Sequence, residues 1–498
     1  MEFFVAIDAG TGSGKCLIFD REGRLKAQVG EAWSYHVTPD PEFPSVKRFA
    51  FDPEHFWSIL CRCVRSALQR SGIDPACIVG VAATSQREAC VFLGPDGREV
   101  YAGPNLDSRG FREGLEILAE LGGERLYQIT GHSAPFIFPL ARYLWFRKHG
   151  GVPVSSILMM SDWILWRLAG TRTAEPSNAA ESMLFDVAQR TWSDEILRTF
   201  DIPRSVLPEV RQSGEQVGTV LPEAAKATGL LAGTPVFLGG ADTQCSLLGA
   251  GAIEPGDIGA TLGTTTPVQA VTRQLCLDPG GALWAGCHVV PDRWVLESNA
   301  GDTGDAYLWL IDLLRGERER DVARKQLEKA ASELPDTQAL LFVGPSVFDM
   351  KRIALRRPGG ILFPYPTLHI RPSAPELVRG FFESLGFALR ANLEQLANVL
   401  RSEPERLILS GGMTRNTTLL QILADVINRP LLVAREAESA ALGCAMLVAC
   451  QGKSDSLSPV ARSWVDHELV SPRADRERYD ERYAIWRRLY EQMFEMEL

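Results

Sequence analysis

The sequence lacks the features that mark membrane, secreted and nucleic-acid-binding proteins. No run approaches the roughly 20 apolar residues that a helix needs to cross a bilayer. Basic side chains number 52 against 62 acidic ones, giving a net charge of −10, and they form no run that would favour nucleic acid or an anionic membrane. The start lacks the basic residues of a signal peptide, and Asp8 interrupts its apolar stretch. We therefore expect a cytoplasmic protein without nucleic-acid or membrane partners.

Metal-binding spacings of Cys and His are also missing. The 10 Cys include no C-x-x-C and the 7 His no H-x-x-x-H, so a zinc site is not predicted. Scattered Cys in a large chain of this kind indicate reduced thiols used as small apolar residues. The 498 residues, 45% hydrophobic and 23% charged, have the composition of a globular protein and allow two to four domains.

Short apolar runs separated by turn residues predict hairpins near the start. Strands are expected over 3–7, 16–19 and 25–29, and a second hairpin over 79–83, 90–93 and 100–101. Between them Asp52, followed by Pro53 and apolar residues at helical spacing, predicts the beginning of a helix.

The second half shows the same pattern of short apolar strands that run into Gly-rich loops. A strand at 236–238 precedes a Gly-Gly-Ala-Asp loop, a Gly/Thr turn follows at 263–266, and a long helix is expected from about 375 to 401. A short strand at 407–409 ends in a further Gly loop, and a helix starts near Asn416. We therefore predict an α/β protein with two halves, divided near residue 249.

The loop from Asp8 to Lys15 has the composition of a phosphate cradle, because glycines let backbone N–H groups approach an anion and hydroxyls add donors. It fails as a Walker A loop, since Ala9 replaces the first Gly and Cys16 follows the Lys. It fails as a Rossmann fingerprint, since a strand follows instead of a helix. A loop that closes a hairpin beside an Asp fits the actin-like ATPase arrangement, with a simple turn as the alternative.

Six ordered motifs resemble the FGGY carbohydrate kinase family over nearly the whole chain. They are Asp-Ala-Gly-Thr at 8–11, Ser-Gln-Arg-Glu at 85–88, Asn-Leu-Asp-Ser-Arg at 105–109, Gly-Gly-Ala-Asp at 239–242, Gly-Thr-Thr at 263–265 and Ser-Gly-Gly at 410–412. The resemblance implies transfer of the γ-phosphate of ATP, with Mg²⁺, to a hydroxyl of a small carbohydrate. It also implies two actin-like (ribonuclease H-like) domains with a cleft between them: residues 1–249 for substrate and phosphate loop, and 250–498 for nucleotide.

Two segments narrow the substrate. Ser-Asp-Trp at 161–163 and Glu-Pro-Ser-Asn-Ala at 175–179 are similar to the autoinducer-2 kinase branch, although related segments occur in xylulokinases and glycerol kinases. The acceptor implied is therefore the autoinducer-2 precursor or a pentulose, with a xylulokinase or a glycerol or polyol kinase as the alternative. An actin-fold ATPase, or a degenerate kinase that serves as a binding module, is the alternative of another class.

The resemblance also implies roles for single residues near the acceptor. Asp242 would be the catalytic base, would contact the substrate and, with Asp8, would hold Mg²⁺. We expect these two acids to converge from separate lobes. Arg87 and Glu88 would grip adjacent hydroxyls, because a hydroxyl both donates and accepts hydrogen bonds. The segment at 105–109 would supply two further substrate-binding residues or merely fix the local geometry, namely Asn105 and Asp107.

A second group would bind the nucleotide, with the terminal phosphates held from both domains. Its members are Thr11, Gly12, Ser13, Lys15, Gly263, Thr264, Thr265, Gly412 and Asn416. Lys15 stands where the family usually has Arg, which keeps the charge but loses the planar fork. His132 and His288 are expected to be structural, and a homodimer is left open.

Overall fold

Two large β-sheets, one in each half of the chain, organise the protein. The computed structural model describes residues 2–316, 320–352, 358–363, 371–473 and 476–496. Within these ranges no helix is both long enough and apolar enough to span a bilayer. All ten Cys are free thiols, as the sequence predicts.

The strands of the first half alternate with helices along the chain. The strands are β1 (Phe3–Ala9), β2 (Ser13–Asp20), β3 (Leu25–Ala32), β4 (His36–Pro39), β5 (Lys47–Ala50), β6 (Ile78–Ser85), β7 (Cys90–Leu93), β8 (Glu99–Gly103), β9 (Ser156–Met159), β10 (Thr173–Ala174), β11 (Phe185–Asp186), β12 (Thr191–Trp192), β13 (Glu209–Val210), β14 (Gln216–Thr219) and β15 (Pro235–Ala241). The helices are α1 (Pro53–Ser71), α2 (Phe111–Leu121), α3 (Gly123–Thr130), α4 (Pro139–His149), α5 (Met160–Ala169), α6 (Pro176–Ala180), α7 (Asp194–Thr199), α8 (Pro222–Thr228) and α9 (Asp242–Gly249).

The second half has fewer and longer elements. Its strands are β16 (Asp257–Thr261), β17 (Thr265–Thr272), β18 (Trp284–Cys287), β19 (Trp294–Asp302), β20 (Leu340–Phe342), β21 (Gly360–Leu362), β22 (Arg406–Ser410), β23 (Leu431–Ala434) and β24 (His467–Val470). Its helices are α10 (Gly304–Arg315), α11 (Arg320–Glu333), α12 (Ala374–Leu400), α13 (Thr417–Ile427), α14 (Ser439–Cys450), α15 (Ser454–Trp464) and α16 (Arg476–Phe494).

The two main sheets share one topology. The first has the order β14-β15-β6-β1-β2-β3, and the second the order β18-β19-β17-β16-β22-β23-β24. In each, an antiparallel hairpin (β1–β2 or β16–β17) is followed by two strands parallel to its first strand (β6 and β15, or β22 and β23). The loops that close the two hairpins therefore occupy equivalent positions in the two halves.

Local sequence signals account for several element boundaries. The side chain of Asp52 caps α1 by accepting from two backbone N–H groups, and Ser373 caps α12 through a capping box.

The prediction of a second hairpin is confirmed for β7 and β8 but is wrong for residues 79–83. Those residues lie in β6 between β1 and β15, because a strand that is apolar on both faces belongs at the centre of a covered parallel sheet.

Helices α9 and α14 cross at two glycines between the halves. A Cβ on Gly249 would lie 1.9 Å from the carbonyl oxygen of Ser439, and one on Gly443 would lie 2.0 Å from that of Cys245. Only glycine permits so close an approach of two backbones. The crossing joins the end of the first half to the helix that packs beneath its sheet.

We expect Gly443→Ala to destabilise the protein by about 3 kcal/mol, because its Cβ meets rigid backbone and the two helices must move apart. Gly123→Ala is the matched control, since its Cβ would lie 3.6 Å from its nearest neighbour and the change stays within about 0.5 kcal/mol. Urea unfolding of both variants measures the difference. Equal stability of the two would contradict the close crossing.

Candidate active site

Asp8 and Asp242 lie together at the carboxyl edge of one sheet. Asp8 on β1 is paired with Thr84 on β6, and Asp242 directly follows β15, whose last residue is paired with Ser85. The expectation that these acids come from separate lobes is wrong, because β15 returns to the first sheet and pairs beside β6. Both carboxylates point from the same edge, one on each side of the central strand.

Burial makes both carboxylates unusually basic, and a nearby like charge adds to the effect in each case. Burial raises the pKa of Asp242 to about 7, with Arg87 opposing the rise and Asp8 adding to it. Burial raises the pKa of Asp8 to about 6, where Lys15 opposes the rise and Glu438 adds to it. The pair is thus two like charges in a poorly solvated place, and oxygen ligands of this kind suit a hard divalent cation.

A buried hydrogen-bond chain fixes the backbone before Asp242. The hydroxyl of Ser177 accepts from the N–H of Ala241 at 2.9 Å and donates to Glu175 Oε2 at 2.5 Å. Ser213 donates to the other oxygen of Glu175 at 2.5 Å. Glu175 and Ser177 lie in the segment at 175–179 that resembles one kinase branch, but nothing in that sequence indicated that it supports Asp242.

Arg87 links the two halves of the chain. Its guanidinium donates to both oxygens of Glu297 on β19, at 2.7 and 2.9 Å, and lies 3.5 Å from Glu181. Its Cζ sits 5.1 Å from the ring centre of Trp284 on β18. The sequence did not point to these three partners, because they are 94–210 residues away along the chain and carry no motif.

Glu88, next to Arg87, is held in an unusual conformation. Its φ is 57°, in the left-handed region that non-glycine residues rarely adopt, and the side chain is only 4% exposed. Burial raises its pKa well above the ordinary value against the attraction of Arg87. The shift favours the protonated carboxyl, which can donate a hydrogen bond as well as accept one.

Asn105 belongs to the same neighbourhood, whereas Asp107 does not. Asn105 donates to Thr11 Oγ1 at 3.1 Å, and its Oδ1 is buried without a hydrogen-bond partner among the described residues. Asp107 is fully buried and accepts from the N–H of Phe49 at 2.9 Å and from Arg109 Nε at 2.5 Å. Its carboxylate is engaged by the polypeptide, so the interpretation that it fixes geometry is favoured over substrate contact.

The β1–β2 loop presents its tip to solvent. Thr11 and Gly12 are exposed and Ser13 is half-buried. The N–H of Gly10 donates to the carbonyl of Ser13 at 3.1 Å, which closes the turn. The predicted hairpin loop therefore forms, with hydroxyls and backbone donors beside Asp8.

Lys15 stands opposite Asp8 on β2, and its Nζ donates to Glu438 Oε2 at 2.8 Å. Gln28 donates to the other oxygen of Glu438 at 2.9 Å. Burial alone would lower the pKa of Lys15, but Asp8 and Glu438 together raise it above the ordinary value. The ammonium group is thus kept charged next to the loop.

The equivalent loop of the second half contains Gly263, Thr264 and Thr265. The N–H of Gly263 donates to the carbonyl of Thr265 at 3.1 Å, and its own carbonyl accepts from the N–H of Gly304 at 3.0 Å. A Cβ on Gly304 would lie 2.5 Å from that carbonyl oxygen, so glycine is required where α10 begins against the loop.

A cavity of about 660 Å³ opens behind this loop. Its wall includes Gly263, Thr264, Gly412 and Asn416, so four of the residues predicted to bind nucleotide line one space. Asn416 also caps α13 by accepting from the N–H of Leu419 at 3.0 Å. Helices α10 and α11 add wall residues that the sequence did not single out: Asp305, Tyr307, Leu308, Arg324, Lys325 and Glu328.

The two histidines are held by backbone groups, as expected of structural residues. His288 is fully buried, accepts from the N–H of Val290 at 3.0 Å, and has its pKa lowered to about 4 by burial. His132 Nδ1 lies 2.9 Å from the carbonyl of Thr130, while its Nε2 faces Glu181 at 3.3 Å. The second contact places His132 beside Glu181, which itself lies 3.5 Å from Arg87.

Comparison with known proteins agrees with this geometry. The model of the FGGY family of carbohydrate kinases, N-terminal domain, matches residues 3–249, and that of the C-terminal domain matches residues 259–451. Autoinducer-2 kinase from Escherichia coli (strain K12) is 33% identical over 463 residues, covering 89% of this chain and 85% of that protein. The enzyme of the same name from Klebsiella pneumoniae is 30% identical, covering 98% and 94%.

Solved structures share the whole fold. A xylulose kinase from Rhodospirillum rubrum superposes with a TM-score of 0.84 at 24% identity, covering 99% of each chain. A glycerol kinase from Plasmodium falciparum, solved with ADP, gives 0.83 at 19% identity, covering 100% of this chain and 99% of the other. The predicted pair of actin-like (ribonuclease H-like) α/β domains is confirmed.

We expect Ser177→Ala to lower kcat about 10–100-fold with little change in the KM for ATP, because the freed N–H of Ala241 lets the neighbouring Asp242 shift. Ser213→Ala is the matched control, since it removes a similar bond to Glu175 but none to Ala241. Steady-state kinetics separates them. If kcat fell equally in both variants, the effect would be assigned to the lost hydrogen bond to Glu175 and not to the freed N–H of Ala241.

We expect Asp242→Asn to stabilise the protein at pH 8 without nucleotide or divalent cation. The raised pKa means that between about pH 4 and 7 the folded state holds a proton that the unfolded state has lost, so stability falls as pH rises through that window. The gain over the native protein should be small at about pH 4, should grow by roughly 1.4 kcal/mol per pH unit through the window, and should reach about 4 kcal/mol at pH 8. Unfolding in urea measures it, with the exposed Glu120→Gln as control. A gain independent of pH would contradict the assigned cause.

Proposed function

The chain belongs to the FGGY family of carbohydrate kinases and is a phosphotransferase, and from this premise we propose that it phosphorylates the autoinducer-2 precursor or a pentulose with Mg²⁺-assisted ATP. The observation that carries the proposal is the basic, poorly solvated Asp242 beside Arg87 and Glu88. The similarity to proteins named autoinducer-2 kinase supports this choice of acceptor.

Asp242 acts as the base in this proposal. A carboxylate with a pKa of about 7 is a strong enough acceptor to take the proton from an attacking hydroxyl and remains largely ionised at mildly alkaline pH. The hydroxyl oxygen then attacks the γ-phosphorus as the bond to the β-phosphate oxygen breaks. Ser177 contributes by holding the backbone in front of the base.

Arg87, Glu88 and Asn105 orient the acceptor. The buried carboxyl of Glu88, whose raised pKa favours the protonated form, donates to or accepts from the acceptor, and the unpartnered Oδ1 of Asn105 accepts from a hydroxyl. Orientation of this kind lowers the barrier because the reacting atoms are held at close range. We do not assign Asp107 to this group, since its oxygens are already engaged.

The nucleotide lies between the two hairpin loops in this proposal. The cavity of about 660 Å³ is of the size that a ligand site usually has, and it begins at Gly263 and Thr264. Thr11, Gly12 and Ser13 approach the terminal phosphates from the first domain, and Thr265 from the second. Charged Lys15 adds attraction near the same loop.

Mg²⁺ fits the two acids at the sheet edge. Among the described residues no group of three His, Cys, Asp or Glu could hold a metal ion by itself. In this proposal Asp8 and Asp242 hold the ion largely through water, because magnesium usually keeps several of its waters. When bound, the ion would offset phosphate charge in the cleft.

We further propose that the first domain ends at residue 249 and the second begins at residue 250, and that the protein is cytoplasmic. A homodimer is the oligomeric state to test, by light scattering.

The acceptor is tested by an ADP-release assay with the autoinducer-2 precursor, D-xylulose, L-xylulose, glycerol and ribitol. The proposal expects the highest kcat/KM with the first compound or a pentulose. Preference for glycerol or ribitol would transfer the assignment to a polyol kinase. ATP hydrolysis without transfer to any of them would favour the actin-fold ATPase.

We expect Asp242→Asn to lower kcat by at least about 10²–10⁴ while ATP still binds, because the base is lost but the nucleotide cavity is untouched. In the native enzyme kcat/KM should fall as pH drops below about 7, where Asp242 takes up its proton. Turnover and ATP titration calorimetry check both parts, with the exposed Asp96→Asn as control. Native turnover in Asp242→Asn would remove this residue as the base.

A further inference from the structure

Two short segments carry the side chains that orient the acceptor in the proposed function. Residues 86–89 connect β6 to β7, and residues 104–105 follow β8. Because Cys90 pairs with Gly103 where β7 and β8 meet, these two acceptor segments leave the same end of one hairpin. Neither segment belongs to a strand, so its position depends on contacts from other parts of the chain.

Arg142 on α4 reaches both acceptor segments from the interior of the domain. Its side chain is fully buried, with 0% exposed. Its Nη2 donates to the carbonyl oxygen of Glu88. Its Nη1 donates to the carbonyl oxygens of Pro104 at 2.8 Å and of Gly103 at 3.2 Å. One guanidinium group therefore connects the backbone of the first segment to the backbone of the second.

The turn that Arg142 contacts is strained. Glu88 has a φ of 57°, and the N–H of Ala89 donates to the carbonyl of Arg87 at 2.6 Å, so three residues form a tight turn. A left-handed residue other than glycine costs free energy, and the surrounding structure has to maintain it. The hydrogen bond from Arg142 to the Glu88 carbonyl offsets part of that cost and fixes the plane of the peptide bond after Glu88.

Arg142 is held by neutral oxygen atoms. Its acceptors are the three backbone carbonyls, and its Nη1 also lies 3.5 Å from the hydroxyl oxygen of Tyr101. Tyr101 in turn donates to Asp107 at 2.5 Å, so the acid that fixes local geometry belongs to the same support. A buried cation is costly, and only the planar fork of arginine offers several N–H groups in fixed directions. Its use here indicates a need to orient several carbonyls at once.

We propose that Arg142 is a positioning residue of the acceptor site, which holds the two acceptor segments in a fixed arrangement relative to each other. The inference rests on the proposed function, because that function gives the side chains of both segments their role. It goes further by assigning the geometry of the acceptor site to a buried residue outside the six motifs.

Loss of the guanidinium would let the two segments move independently. A displacement of about 1 Å can cost about 100-fold in rate when it affects groups that orient the reacting molecule. The nucleotide cavity is lined by residues of the second half from Leu262 to Leu419, and neither acceptor segment contributes to its wall. The expected defect therefore concerns the acceptor and spares ATP.

Arg142→Lys tests the proposal, because lysine keeps the charge but loses the planar fork. We expect the KM for the preferred acceptor to rise and kcat to fall, each at least about tenfold, while the Kd for ATP measured by calorimetry stays within about twofold. Hydrogen exchange of peptides that cover residues 86–90 and 103–107 should become faster.

Arg147→Ala is the matched control. Arg147 lies on the same helix and also donates to backbone carbonyls, those of Phe200 and Asp201, which belong to neither acceptor segment. Its kinetic constants and the exchange of both segments should equal the native ones.

Chemical rescue gives a second, independent measurement. Arg142→Ala removes the side chain, and free guanidinium at a non-denaturing concentration can then bind to the exposed carbonyls. We expect guanidinium to raise kcat/KM for the acceptor at least about tenfold in this variant, because it restores charged hydrogen bonds. The same concentration of sodium chloride should have no such effect, and neither addition should stimulate the native enzyme.

The proposal is overturned if Arg142→Lys keeps the native KM and kcat for the acceptor, or if its binding of ATP weakens as much as its use of the acceptor. It is also overturned if Arg142→Ala is folded by circular dichroism and guanidinium does not restore it. Should Arg142→Ala fail to fold, Arg142→Lys decides alone. A native protein that transfers phosphate to none of the compounds, with faster exchange of both segments in Arg142→Lys, would count against the proposed function instead.

Discussion

The constraint on which the site depends is the placement of two carboxylates, Asp8 and Asp242, on either side of one central strand in a poorly solvated cleft. Burying these acids is unfavourable, as the raised pKa of each shows, and the charge of Asp8 adds to the rise at Asp242. Nearby cations reduce the repulsion: Lys15 faces Asp8, and Arg87 acts on Asp242. The two carboxylates therefore keep a high affinity for protons and cations. Base catalysis and magnesium binding both depend on that affinity.

Repetition of one topology explains how the second half contributes. Because β16–β17 has the same relation to its sheet as β1–β2, each half presents a hairpin loop with backbone N–H groups and hydroxyls. The crossing of α9 and α14 at Gly249 and Gly443 brings the two halves into close contact. In a site of this kind each half contributes one short loop, and the sheet behind that loop fixes its position.

Features that depend on neighbouring residues were predictable from the sequence, and those that depend on distant pairing were not. Asp52 signals the start of α1, and the glycines after Asp8 signal a hairpin loop, because caps and turns are set by local chemistry. The position of Asp242 in the first sheet depends on β15 pairing with β6 more than 150 residues earlier, and no local pattern encodes that pairing. The partners of Arg87 were missed for the same reason, since Glu297 belongs to the other half.

A strained backbone and an unsatisfied polar atom occur where the acceptor would bind, although similar features also lie elsewhere in the described part of the chain. Glu88 has a left-handed backbone and a buried carboxyl with a raised pKa, and the buried Oδ1 of Asn105 has no hydrogen-bond partner among the described residues. A fold selected for stability alone would pair or remove such groups, because each costs free energy. In the proposed function the hydroxyls of the acceptor would bind to these groups, so that part of the binding free energy would come from satisfying atoms that the polypeptide leaves unpaired.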